Sequence, residues 1–145
     1  MEKLTLAMLV VVSLLSEHCL AGSLLGSVQS ASVRGKLTCN GEPAADVKVK
    51  LYDVDTLTPD DLMAEGVSKA DGTFALSGSE KEQTKIDPKI NIYHKCNHKG
   101  ICLKKIAIVI PKDYVSEGER AERTFDIGEI NLAGSFSGES IDCIN

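Results

Sequence analysis

The sequence predicts an all-β fold, two packed sheets forming one sandwich. Three observations predict it. Apolar and polar residues alternate at period two in run after run. Turn-forming pairs, Asn40-Gly41, Asp71-Gly72 and Asp87-Pro88, break these runs at short intervals. Helical periodicity is scarce. Half-buried antiparallel strands carry this signature, and such short spacing suits a sandwich better than βαβ units.

Each element follows from its residues. In Val33–Cys39, Val33, Gly35, Leu37 and Cys39 share one face, with Arg34, Lys36 and Thr38 on the other. Val47, Val49 and Leu51 point inward from Val47–Asp53, with Lys48 and Lys50 outward. Thr58–Glu65 has an N-cap-like Thr58, Pro59 at a first helical position and acidic residues after it. It suits one or two helical turns or, equally, a loop into a strand near Met63–Lys69. Phe74 and Leu76 pair in Thr73–Ser77. Ser79–Lys85 is polar all round and reads as a surface connection. Ile90 and Ile92 define a strand in Lys89–His94, and Ile106, Ile108 and Ile110 another in Lys105–Pro111. Phe125–Gly134 holds a phase fault: Phe125 and Ile127 share a face, but Ile130 and Leu132 are one residue out of step. A β-bulge at Gly128-Glu129 would return all four to the core.

The start of the chain predicts the compartment. Lys3 precedes an apolar run of about 12 residues, Leu4–Leu15, short of the roughly 20 that cross a bilayer. Small Cys19 and Ala21 suit cleavage after Ala21, though Gly22 and Gly26 are alternative sites. Residues 1–21 are therefore expected to be a secretory signal peptide, 22–31 a flexible lead-in, and 32–145 one domain. The mature chain is expected to be secreted and extracellular, and not membrane-spanning. Its charge is 16 − 1 = 15 basic against 21 − 2 = 19 acidic residues, or −4. A mildly acidic protein is a poor general binder of nucleic acid, and none is expected as a partner. No Asn-x-Ser/Thr acceptor occurs. Losing Cys19 leaves Cys39, Cys96, Cys102 and Cys143, an even set that reads as a disulfide framework with three possible pairings.

The phrases SVRGKLTCNGEPAADVKVKLYD, TPDDLMAEG, DGTFALSGSEKE, IDPKINIYHKC, IAIVIPKDYV, FDIGEINLAG and ESIDCI occur in this order over residues 32–144. Together they resemble the nematode transthyretin-like family of small secreted proteins. The resemblance implies a transthyretin-like (prealbumin/Ig-like) sandwich of seven to eight strands in two sheets. Related folds include a hormone carrier and the 5-hydroxyisourate hydrolases. The hydrolases' C-terminal Tyr-Arg-Gly-Ser is replaced here by Ile141-Asp142-Cys143-Ile144-Asn145.

The stretch Tyr93–Lys105 carries the candidate sites. His94, Cys96, His98 and Cys102 are four possible zinc ligands within nine residues, but structural zinc sites take ligands from two separated pairs. An oxidising compartment favours a Cys96–Cys102 disulfide across a turn. Cys39–Cys143 would remain, and the resemblance brings them together by making the first and last strands neighbours in one sheet. Cys39–Cys96 stays conceivable. The same hairpin is basic. Lys95, His98, Lys99, Lys104, Lys105 and nearby Lys112 are candidate ligands for an anionic group, or simply solubilise a sheet edge. Asp53, Asp55, Asp60 and Asp61 suggest calcium weakly, since the Gly-containing twelve-residue loop is missing and a solvated acidic turn explains them.

Neither catalysis nor a cofactor is expected. His94 and His98 are the histidines beyond the signal segment, and Gly134-Ser135-Phe136-Ser137-Gly138 has Phe where a nucleophile elbow needs Ser. The expected role is an extracellular binding or adaptor module recognising a cell-surface protein or receptor, a peptide or an anionic phospholipid head group. One member of the resembling family is understood to bridge exposed phosphatidylserine to a receptor. The alternatives are an oligomeric small-molecule carrier and, further off, a 5-hydroxyisourate hydrolase-like enzyme. The residues leave the oligomeric state open.

Overall fold

The computed structural model describes residues 25–145; the expected signal segment lies outside them. The described chain forms a two-layer β-sandwich. Its strands are β1 (Ser27–Cys39), β2 (Glu42–Pro43), β3 (Lys48–Asp53), β4 (Asp61–Val67), β5 (Thr73–Glu82), β6 (Pro88–His94), β7 (Leu103–Val109), β8 (Ser116–Glu117), β9 (Thr124–Asn131) and β10 (Ser140–Asp142). Seven have six residues or more, and the other three are short stitches at sheet margins. Among the described residues no helix is long and apolar enough to cross a membrane.

In one sheet β1 is central. It pairs antiparallel with β5 and then β2 along one edge, and with β8 and then β9 along the other. The β1–β9 pair is parallel, an exception to the antiparallel expectation, because the chain enters this sheet antiparallel as β8 and then reverses before β9 begins. The second sheet runs β10-β7-β6-β3-β4, antiparallel throughout. Val33, Leu37, Val49, Leu51, Phe74, Leu76, Ile90, Ile92, Ile106 and Leu132 fill the space between the layers. Burying each aliphatic side chain contributes about 1.5–3 kcal/mol before entropy is subtracted.

Several local expectations meet their geometry. Asn40 and Gly41 both have positive φ, 54° and 87°, the requirement of a two-residue hairpin turn that matches strand twist. At Asp71-Gly72 the Asp71 carboxylate accepts the Thr73 N–H at 2.9 Å, and Gly72 takes φ 82°. The β9 bulge exists. Arg34 faces Asp126 and Lys36 faces Glu129, so Ile127 and Gly128 share the space opposite Gly35. Gly128 has φ 71°. Gly35 has no side chain because Ile127 fills that volume.

Other readings are corrected. Residues 58–65 hold no helix: β4 begins at Asp61, completing the alternative ladder with β3. The expected lead-in is strand from Ser27, paired with Ser79–Glu82, which is no loose connection either. Backbone pairing is indifferent to side-chain polarity, so two polar segments make a ladder where they lie side by side. Gln29 adds a clamp. Its Nε2 donates to Thr84 O at 2.7 Å, and its Oε1 accepts from Ile86 N at 3.2 Å.

The disulfides also differ from the favoured pairing. Cys39 bonds Cys96 and Cys102 bonds Cys143. The strand alternation that turns His94 inward also turns Cys96 inward, where Cys39 of the opposite sheet waits. Cys102 lies beside β7 at the margin where β10 pairs. The last strand joins β7, not β1, so Cys143 never approaches Cys39.

Candidate functional site

Both disulfides lie at one end of the sandwich. There they join the β1–β2 turn, the β6–β7 loop (residues 95–102) and the segment after β10. Asn40 and Asn97, with φ 54° and 52°, exchange side-chain amide hydrogen bonds of 2.9 and 3.0 Å. The His98 N–H donates to Lys95 O at 3.0 Å and closes the loop on itself. His98 packs against Gly100, where a methyl group would lie 2.5 Å from Nε2. After β10 the Asp142 carboxylate accepts the Ile144 and Asn145 N–H groups, and with Lys105 they hold it below the usual carboxylate range despite partial burial. These features fix the loop's shape.

The six basic candidates separate. Lys95 and Lys99 are exposed on the loop, and neither forms an ion pair among the described residues. His98 is half-buried beside them. Lys104 is paired with Glu139 at 2.7 Å, and Lys105 with Asp142 at 3.3 Å. Lys112 sits at the opposite end, beyond β7, paired with Asp87 at 2.7 Å. A carboxylate therefore already answers three of the lysines.

The alternation overlooked the loop's apolar tip. Ile101 is 95% exposed and Ile144 is 96% exposed. Ile101 precedes Cys102, and Ile144 follows Cys143, so one disulfide seats both. The signal was a single aliphatic residue, Ile101, set directly after the polar run Asn97–Gly100. A cleft of about 320 Å³ flanks the loop, lined by Asp46, Lys48, Tyr93, His94 and Lys95 among others.

His94 is 3% exposed. Its Nδ1 accepts the Cys96 N–H at 3.2 Å, so a neutral ring carries its proton on Nε2. Burial holds the imidazole below its ordinary range, and Lys104 and His98 add to this against the opposing Glu139. A zinc tetrad is not assembled. Both thiols are consumed, and the free edge of His94 is an N–H, which offers a metal no lone pair.

At the other end, ligand atoms of Asp53, Asp55 and Glu82 lie within 4.8 Å of one another. Glu82 reaches them because β5 runs further than expected. Asp60 is held by Lys89 at 2.6 Å and does not join the group. Asp53 is buried, and its Oδ1 accepts the Asp87 N–H at 2.7 Å. Its pKa is raised chiefly by burial, partly offset by that hydrogen bond.

Known proteins resemble this chain in sequence. The family described as "TTR-52: Transthyretin-like family" matches residues 34–111. Transthyretin-like protein 5 of Caenorhabditis elegans is 52% identical over 133 residues, covering 88% of this chain and 95% of that protein. Transthyretin-like protein 33 is 45% identical over 130 residues, covering 88% and 90%. Transthyretin-like protein 2 is 42% identical over 129 residues, covering 83% and 86%. The names state a family and no reaction. With its two-layer sandwich and two disulfides, the chain belongs to the transthyretin-like family.

Proposed function

We propose that the protein is a secreted extracellular binding module, and that the disulfide-tied end of the sandwich is its contact surface. The signal-like segment and the two disulfides support an extracellular setting. The observation that carries the reading is the tip itself: two almost fully exposed isoleucines on a covalently fixed frame, beside the un-ion-paired Lys95 and Lys99. An aliphatic tip flanked by ammonium groups suits an anionic phospholipid surface, where head groups meet the lysines and the isoleucines sit at the acyl boundary. A rigid loop also binds at low entropic cost.

The test is co-sedimentation of the disulfide-intact protein with phosphatidylcholine vesicles, with and without phosphatidylserine. Wild-type protein should sediment with the anionic vesicles. Lys95→Glu/Lys99→Glu and Ile101→Ser/Ile144→Ser should each reduce binding at least about tenfold, or about 1.4 kcal/mol. Lys112→Glu, at the far end, should not. Binding to cell surfaces but not to vesicles, lost in the same variants, would point to a protein receptor at this surface. Equal binding by all variants would overturn the reading.

A further inference from the structure

Five buried side-chain polar atoms have no hydrogen-bond partner among the described residues, and three of them belong to His94, His98 and Glu139. They are His94 Nε2, His98 Nε2 and Glu139 Oε2. Few such atoms are expected in a domain of this size, and each calls for an explanation. The groups come from three segments: the end of β6, the β6–β7 loop and the strap before β10. Glu139 is anchored through its other oxygen to Lys104 on β7.

The tautomer of His94 gives this cluster a direction. Its Nδ1 is occupied by the Cys96 N–H. A proton from solvent can only be added at that same nitrogen, since Nε2 already carries one. Adding it replaces an acceptor by a donor opposite another donor, so the Cys96 N–H loses its partner inside the core. Glu139, whose charge acts on the His94 ring, keeps one unused acceptor, Oε2. The charged and titratable groups about His94 are Lys104 on β7, Glu139 on the strap and His98 in the loop. Asp46, Lys48, Tyr93 and Lys95 complete them around the adjoining cleft.

We propose that His94 is a proton-operated latch: protonation releases the Cys96 N–H, draws the ring toward Glu139 and loosens the 95–102 loop. Glu139 then serves two cations, so the Lys104 pair that ties the strap to β7 weakens as well. Burial and the nearby cations hold the ring below its ordinary range, so the latch opens below pH 6.5 and stays closed at neutral pH. The proposal does not depend on what the loop binds.

The experiment is amide hydrogen exchange on the disulfide-intact protein from pH 7.5 to 4.5, corrected for intrinsic rates, alongside an NMR titration of the His94 ring. Wild-type protection at Cys96, Asn97 and His98 should fall at least about tenfold on acidification, while β3 and β6 remain protected. The His94 ring and the Cys96 N–H should report one midpoint. In His94→Asn the side-chain oxygen can take the place of Nδ1 without titrating, and protection should become independent of pH. Glu139→Gln should blunt the transition. Unchanged wild-type protection across the range would overturn the proposal, and so would a His94→Asn variant that titrates like wild type. If that variant fails to fold, separate midpoints for the wild-type ring and the Cys96 N–H would overturn it instead.

Discussion

Gly78 and Gly35 show how differently two glycines can be required. A methyl group at Gly78 would lie 2.6 Å from the Met63 carbonyl oxygen, where β5 passes the edge strand β4. Backbone meets backbone there, and neither strand can yield without breaking its ladder. Gly78→Ala should therefore cost about 1–3 kcal/mol in urea unfolding. At Gly35 the obstacle is Ile127 Cγ1, which can clear a methyl group only by turning about a stiff β-branched χ1, so Gly35→Ala should also destabilise in the same measurement. Asp53 makes the opposite kind of prediction. Its pKa is raised from 3.8 chiefly by burial, with Asp55, Glu82 and Asp87 repelling it further. The sign follows: an acid whose folded pKa is raised favours folding while protonated, and that contribution is lost as pH rises through the folded pKa. Asp53→Asn keeps an acceptor for the Asp87 N–H and should stabilise the protein at pH 7.5. The advantage should shrink as pH falls toward 3.8, which denaturant curves at several pH values would reveal.

At the scale of elements, the β9 bulge was legible because a phase error in an apolar pattern has few structural solutions. Phe125, Ile127, Ile130 and Leu132 fit one core face only if the chain gains a residue, and Gly128 tolerates the positive φ. Deleting Gly128 should turn Ile130 and Leu132 outward and cost about 3 kcal/mol or more, read as a fall in thermal midpoint. The β3 alternation and the Asn40-Gly41 turn were equally clear, since a side-chain period and a positive φ are local properties. The polar half of the β1–β5 ladder was not. Ser27–Ala31 and Gly78–Glu82 pair through backbone groups that every sequence carries. Of the proposed contact surface, the loop and its lysines could be read. That Lys104, Lys105 and Lys112 are neutralised depends on Glu139, Asp142 and Asp87, which are distant or unremarkable in sequence.

For the whole molecule, cysteine pairing turned on which sheet receives the last strand. No local pattern in Ser140–Asp142 encodes that choice, so the count of four was readable and the partners were not. The two bridges close loops with sequence separations of 57 and 41. In the chain-entropy account each contributes about 4 kcal/mol. Cys102→Ser/Cys143→Ser should lose close to that amount in chemical unfolding, and β10 should become the first strand to exchange its amides.

The bridges are also consecutive: the first ends at Cys96 before the second begins at Cys102. The covalent graph of the molecule is thus two rings strung on a short filament, with Lys99 on the filament. A protease nick after Lys99 would sever the protein into two independently cyclised pieces. Denatured without reductant, they would migrate apart on a gel, whereas a Cys39–Cys143 link would have kept them as one.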